Sequence, residues 1–154
     1  MKVEFVNPFI KAATEVLDAE LGVESQRGTL RLHKSSLTTD EVTAVVGVTG
    51  DVRGIVLYSM SESTALGIVS KLLGQDVHEF DALAQSGIGE LGNVITGRAG
   101  VLLAEAGFAS NITPPAVVIG KGTMITTLDL NRLVFPLQTP VGELEIQVVL
   151  KAVA

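Results

Sequence analysis

The stretch Val42-Thr43-Ala44-Val45-Val46-Gly47-Val48-Thr49-Gly50-Asp51-Val52-Arg53-Gly54-Ile55-Val56-Leu57-Tyr58-Ser59-Met60 decides the fold class. Val42, Ala44, Val46 and Val48 recur at a period of two and share one face of a strand. Thr49-Gly50-Asp51 supplies a turn, and Ile55 to Met60 returns. Two apolar runs across a glycine turn read as a hairpin, so the sheet contains an antiparallel pair.

Upstream, Asn7-Pro8 reads as the start of a helix. Asn7 can cap, and Pro8 at the first helical position gives up no hydrogen bond. Phe9, Ala12, Ala13, Val16 and Leu17 follow at helical spacing, and Gly22 is a terminator. Thr29 to Lys34 alternates, Leu30 and Leu32 against Arg31 and His33, and reads as a strand.

Downstream, Ser61 caps a second helix that runs through Ala65, Leu66, Val69, Leu72 and Leu73 to Gly74. Gln75 to Phe80 is a linker. Asp81 to Glu105 is the longest helical pattern, closed by Gly107. Thr113-Pro114-Pro115 is a stiff extended approach to the apolar run Ala116 to Ile119. Leu130 to Leu137 and Glu143 to Lys151 form a second hairpin across Thr139-Pro140-Val141-Gly142. Leu144, Ile146, Val148 and Leu150 alternate there with Glu145, Gln147 and Lys151.

Helix, strand, hairpin, helix, long helix, strand, hairpin is a loose internal duplication. It predicts an α+β, two-layer domain: a mostly antiparallel sheet with helices packed on one face. Nothing marks a boundary, so residues 1–154 read as one domain. Its edge strands invite a homodimer by edge pairing.

The chain has 154 residues, 47% of them hydrophobic and 18% charged, which suffices for one core and excludes disorder. The absence of cysteine excludes a disulfide scaffold and a thiolate metal site, and fits a reducing compartment. Net charge is −6, and the 11 Lys and Arg are scattered, which argues against binding to nucleic acid or to an anionic membrane. No signal peptide or membrane span is read, so a cytoplasmic protein is expected.

Catalytic signatures are sparse. His33 and His78 share no carboxylate pattern and read as surface residues. No phosphate-binding loop or dinucleotide fingerprint is present. Gly120-Lys121-Gly122-Thr123 reads as a plain turn, and no Ser–His–Asp arrangement is placed.

The long helix is the unusual element. Ser86 to Gly97 carries four glycines in twelve residues, each costing about 0.5–1 kcal/mol relative to alanine. Ile88, Leu91, Ile95, Ala99, Leu102 and Ala106 fall on one stripe, expected to bury against the sheet. Ser86, Glu90, Asn93 and Gly97 fall opposite, with Glu90 and Asn93 one turn apart. Spacing alone fits an ordinary solvated face. The glycines shift that reading toward a bare face for docking another protein's backbone, and they equally allow close packing of a second helix.

Ser86-x-x-x-Glu90-x-x-Asn93 resembles the signature of the CheC/CheX/FliY phosphatases of bacterial chemotaxis. The likeness covers nearly the whole chain in order and is greatest to the CheX branch. It runs through Asn7-Pro8-Phe9-Ile10, Val46 to Gly50, Gly54 to Ser59 and Thr64-Ala65-Leu66. Ile88 to Asn93 and Ile112-Thr113-Pro114-Pro115 complete it.

That resemblance implies a pseudo-duplicated fold, a homodimer formed through the sheets, and one catalytic helix per chain, where CheC proteins carry two. It implies a phosphatase acting on the phospho-aspartate of a CheY-like response regulator. Asn93 would hold a water in line with the phosphoryl group, and Glu90 would pair with a regulator lysine. An amide suits this work, because it donates to and accepts from water without a charge that repels phosphate. Mg²⁺ would belong to the regulator, with no metal or cofactor in this chain. Ser86 has a supporting role by the same resemblance. Gly89, Gly92 and Gly97 either thin the face where the partners meet or serve helix packing. Pro115 or Pro114 shapes the start of a strand.

Glu4-Phe5-Val6-Asn7 repeats the Glu-x-x-Asn spacing. With Asn7 as the cap, Glu4 precedes the helix, and the pair is not expected to form a second site. Two other functions compete with the phosphatase: a non-catalytic receiver-docking or flagellar-switch-like module, and a small-molecule sensor, which the scarcity of aromatics disfavours.

Overall fold

A computed structural model describes residues 3–22, 25–33, 36–127 and 131–153. Its elements, in chain order, are α1 (Val3–Leu21), β1 (Gln26–Arg27), β2 (Arg31–His33), β3 (Ser36–Thr38), β4 (Val42–Gly50) and β5 (Val52–Met60). There follow α2 (Glu62–Leu73), α3 (Ala82–Glu105), β6 (Ser110–Ile112), β7 (Ala116–Ile119), β8 (Met124–Thr126), β9 (Arg132–Thr139) and β10 (Gly142–Ala152).

The hairpin at 42–60 forms as expected, with Val42 opposite Met60 and Val48 opposite Gly54. The second hairpin runs over β9 and β10, and β10 pairs with β5 along its length. These four strands are the centre of an antiparallel sheet in the order β1-β9-β10-β5-β4-β6, with β2 also on β9 and β7 also on β4. Leu130, the expected start of the strand through Leu137, and Lys34, the expected end of the strand from Thr29, lie outside the described residues.

One face of the sheet carries the helices. Val46, Val56, Ile146 and Phe135 meet Phe9, Ile68, Ile95 and Leu103 in a single buried cluster. Leu57, Val134 and Val149 point the other way yet are also buried. A two-stranded ribbon, β3 with β8, approaches that second face at Arg132. Arg132 is buried under it, donating to the Ile125 carbonyl and to Gln147 Oε1 at 2.8 Å. Gln147 passes the network on to Glu145 at 3.1 Å, and Glu145 accepts from Arg31 at 3.3 Å. Three-residue strands such as β3, β6 and β8 carry too little alternation to read from sequence.

The helix starts fall where the sequence placed them, with one exception. Ser61 caps α2 by accepting from the Thr64 N–H, and Gly74 ends it in the left-handed region. Asp81 caps α3 through the Ala84 N–H. The first helix, however, begins at Val3, with Pro8 inside it. A proline there removes one backbone bond and costs about 3 kcal/mol. Burying Phe5 and Val6 recovers about 1.5–3 kcal/mol each, so packing wins. Phe5 meets Phe108 edge-on, ring centroids 5.0 Å apart. Asn7 is therefore not a cap, and Glu4 and Asn7 share the exposed face of α1, which removes the geometric ground for setting that pair aside.

Phe108 follows the end of α3, and Glu15 on α1 meets Arg98 on α3 at 3.1 Å, so the two helices run antiparallel. Their buried residues keep the same spacing: Phe5, Val6, Phe9, Ala13 and Leu17 in α1, Leu91, Gly92, Ile95, Ala99 and Leu103 in α3. The match holds at these positions but not at Ala12, whose counterpart Arg98 is exposed, nor at Thr96, whose counterpart Ile10 is half-buried.

Candidate functional site

α3 carries the candidate site and touches other elements on three sides. Below it lies the sheet, where a Cβ on Gly92 would stand 3.2 Å from the Tyr58 ring and 3.3 Å from the Ala44 Cβ. On one flank, Gly87 faces Val69 of α2. On the other runs the segment from β6 to β7, with Gly89 against Val117 and Pro115, and Gly97 against Ile112. Thr113 fixes that segment to β4 by accepting from the Gly47 N–H, 2.9 Å, and donating its own N–H to the Gly47 carbonyl, 2.9 Å.

Four of the six expected stripe residues are buried: Ile88, Leu91, Ile95 and Ala99. Farther along, Leu103 is buried, Leu102 half-buried and Ala106 exposed. Ala106 is the C-cap, where helical periodicity no longer applies.

The fourth, outward side holds Ser86 and Glu90, both exposed, and Asn93 and Gly97, both half-buried. The expected polar face exists, and Glu90 and Asn93 project from it one turn apart. Asn93 lies toward the flank, midway between the glycines that face Pro115 and Ile112. Among the described residues, neither the Glu90 carboxylate nor the Asn93 amide is hydrogen-bonded or ion-paired. Exposed Val94 and Val101 continue the same side.

Two glycines depart from the expectation of a thin outer face. Gly89 and Gly92 are buried. Their missing side chains let α3 lie close to β7 and to the Tyr58 ring, which is helix-on-sheet packing. Gly97 alone of the three reaches the surface.

The seat under the site was not read from the sequence. Tyr58 is buried, and its hydroxyl lies 2.7 Å from Thr96 Oγ1. Thr96 Oγ1 in turn donates to the Gly92 carbonyl at 2.7 Å. Burial pushes the Tyr58 phenol far above its ordinary value, so it remains neutral. A sole tyrosine on the inward face of a strand, and a threonine four residues after a helical glycine, were the signals available.

The remaining sequence candidates are elsewhere. His78 is exposed beside Asp76, Glu79 and Asp81 in the turn before α3. Gly120-Lys121-Gly122-Thr123 is a turn held to Thr39, as expected. Among the described residues, no three His, Cys, Asp or Glu side chains gather where they could hold a metal ion. No helix among them is long and apolar enough to cross a membrane.

The family model described as chemotaxis phosphatase CheX matches residues 42–138. A curated CheY-P phosphatase CheX from Thermotoga maritima is 35% identical over 126 residues, 81% of each chain. A CheC-like superfamily protein from Shewanella sp. PV-4 superposes with a TM-score of 0.89 at 28% identity, covering 99% of this chain and 100% of the other. The CheX chain in a CheX–CheY–BeF3–Mg²⁺ complex from Borrelia burgdorferi gives 0.84 at 29% identity, over 97% and 99%.

Proposed function

The chain belongs to the chemotaxis phosphatase CheX family, and on that premise we propose that it hydrolyses the phospho-aspartate of a CheY-like receiver domain. One observation carries the reading. A carboxamide and a carboxylate, one helical turn apart, leave the surface at Asn93 and Glu90 with their hydrogen-bonding capacity unspent among the described residues.

The reaction needs a water oxygen aligned behind phosphorus. As its bond to phosphorus forms, the bond to the aspartyl oxygen breaks. A carboxylate and inorganic phosphate leave, and the water's proton passes to solvent. The Asn93 amide accepts from and donates to that water, fixing its direction without adding negative charge. Removing the water's freedom before the chemical step is the source of rate. Glu90 pairs with a lysine of the receiver and sets the register of docking. Ser86 and Gly97 border the contact. The Mg²⁺ of this chemistry belongs to the receiver, as does the phosphorylated aspartate. BeF3, the chemical stand-in for a phosphoryl group, accompanies CheY in the Borrelia complex, which supports a receiver in its phosphorylated form as the partner.

The same reading places the protein in the cytoplasm and pairs it as a homodimer. Leu32 on β2 and Ile119 on β7, at opposite edges of the sheet, are 64% and 57% exposed, and edge pairing would cover such side chains. Sedimentation at micromolar concentration tests this; a sharp monomer refutes it.

The decisive experiment follows loss of label from a phosphorylated receiver. Wild type accelerates it. Asn93→Ala loses about a hundredfold of that acceleration. Glu90→Ala raises KM by about tenfold, through the lost charge pair. Equal rates for wild type and Asn93→Ala would overturn the assignment.

A further inference from the structure

The Tyr58–Thr96 pair is tied to the peptide group that bears Asn93. The Thr96 hydroxyl has one proton and gives it to the Gly92 carbonyl. The bond between Tyr58 and Thr96 must therefore run from the phenol to Thr96. The chain of donors is directed: Tyr58 O–H to Thr96 Oγ1, and Thr96 O–H to Gly92 C=O. That carbonyl belongs to the peptide joining Gly92 to Asn93.

The same ring sets how deep the turn sits. Gly92 rests on Tyr58, with no room for a Cβ at ordinary contact distance. Tyr58 thus fixes the height of the turn through its ring and the tilt of one peptide through its hydroxyl. A threonine that bonds back to the carbonyl four residues earlier also bends a helix locally. All of this is buried on the sheet side of α3, and Asn93 emerges next to it, one turn before Thr96, toward the flank.

We propose that Tyr58 and Thr96 are positioning residues for the hydrolysis, aiming the Asn93 carboxamide by holding the Gly92–Asn93 peptide from beneath. This rests on the phosphatase reading for its kinetic consequence but not for its geometry. Neither residue touches the partner, so substitution acts on kcat and leaves docking alone.

The test uses Thr96→Val, which keeps shape and removes the hydroxyl, with Thr96→Ser as the rescue and Tyr58→Phe as the second break in the chain. Two readouts are taken on folded protein: kcat and KM on a phosphorylated receiver, and the Asn93 backbone and side-chain amide resonances of the free protein. Thr96→Val lowers kcat about tenfold with KM within twofold of wild type, and moves both Asn93 resonances. Thr96→Ser returns kcat to within threefold and the resonances to their wild-type positions. Tyr58→Phe acts in the same direction, and adding it to Thr96→Val costs no further activity, because the chain is already broken. Unmoved Asn93 resonances in Thr96→Val would overturn the proposal, as would moved resonances with wild-type kcat. A purely structural role lowers the melting temperature without this split. Wild type compared with Asn93→Ala judges the phosphatase reading separately. Should that reading fail, the resonances still decide whether the tether aims the amide.

Discussion

Gly92 lies against the ring of Tyr58, so closely that a methyl group there would meet it at 3.2 Å and the Ala44 Cβ at 3.3 Å. Gly97, five residues on, would meet only the end of Ile112, at 3.9 Å. The same substitution at the two glycines should therefore have opposite effects. Alanine gains about 0.5–1 kcal/mol of helix propensity at either position. At Gly92, overpacking costs about 1–3 kcal/mol, so Gly92→Ala lowers the melting temperature. Gly97→Ala raises it. Thermal unfolding of the two variants checks the pair, and a stabilised Gly92→Ala would show that the seat is looser than drawn.

Glu4 and Asn7 repeat the spacing of Glu90 and Asn93 on a helix with partly matching burial, yet their surroundings differ. Where Gly97 follows Asn93 by one turn, Lys11 follows Asn7, and Pro8 stands where α3 has Val94. We expect Asn7→Ala to keep dephosphorylation within twofold of wild type while Asn93→Ala loses about a hundredfold of the acceleration. Activity persisting in Asn93→Ala and vanishing in the double variant would assign catalysis to α1.

The hairpins, the Ser61 cap and the polar side of α3 were legible because each rests on local chemistry: alternation, a capping side chain, a helical period. The start of α1 was not. The local signal of Asn7-Pro8 was overruled by burial of Phe5 and Val6 against residues distant in sequence. Which of the two roles left open for Gly89 and Gly92 applies was illegible for a related reason. A glycine in a helix announces a close approach without saying to what, and here it was the chain's own β7 and Tyr58. The ribbon at the far face was unreadable because its strands are too short to show a period. The resemblance supplied the roles of Glu90 and Asn93, which spacing alone left open.

Arg132 should be costly to remove. It lies under the ribbon and satisfies Gln147 Oε1 and the Ile125 carbonyl. Arg132→Ala leaves these acceptors unpaired beside a cavity, at a cost of about 3 kcal/mol. Arg132→Met restores much of the volume and loses less. Urea unfolding midpoints for the two variants test the order; equal loss would mean that the bonds matter and the packing does not.

Tyr58 is the chain's one tyrosine, which makes its ionisation directly observable. Burial raises the phenol well above its ordinary value of 10 in the folded protein, with the Thr96 bond a smaller, opposing influence. The unfolded chain ionises at that ordinary value. The folded state therefore keeps its full advantage below pH 10 and loses it as the pH rises further, because only the unfolded state readily releases the proton. Tyrosinate absorbance should stay absent from the native protein above pH 10 and appear together with loss of helical circular dichroism. Tyr58→Phe removes this contribution to the alkaline fall in stability. A phenolate signal that rises near pH 10 while the helices remain intact would show that the ring is open to water, and with it that the seat under Asn93 is not closed.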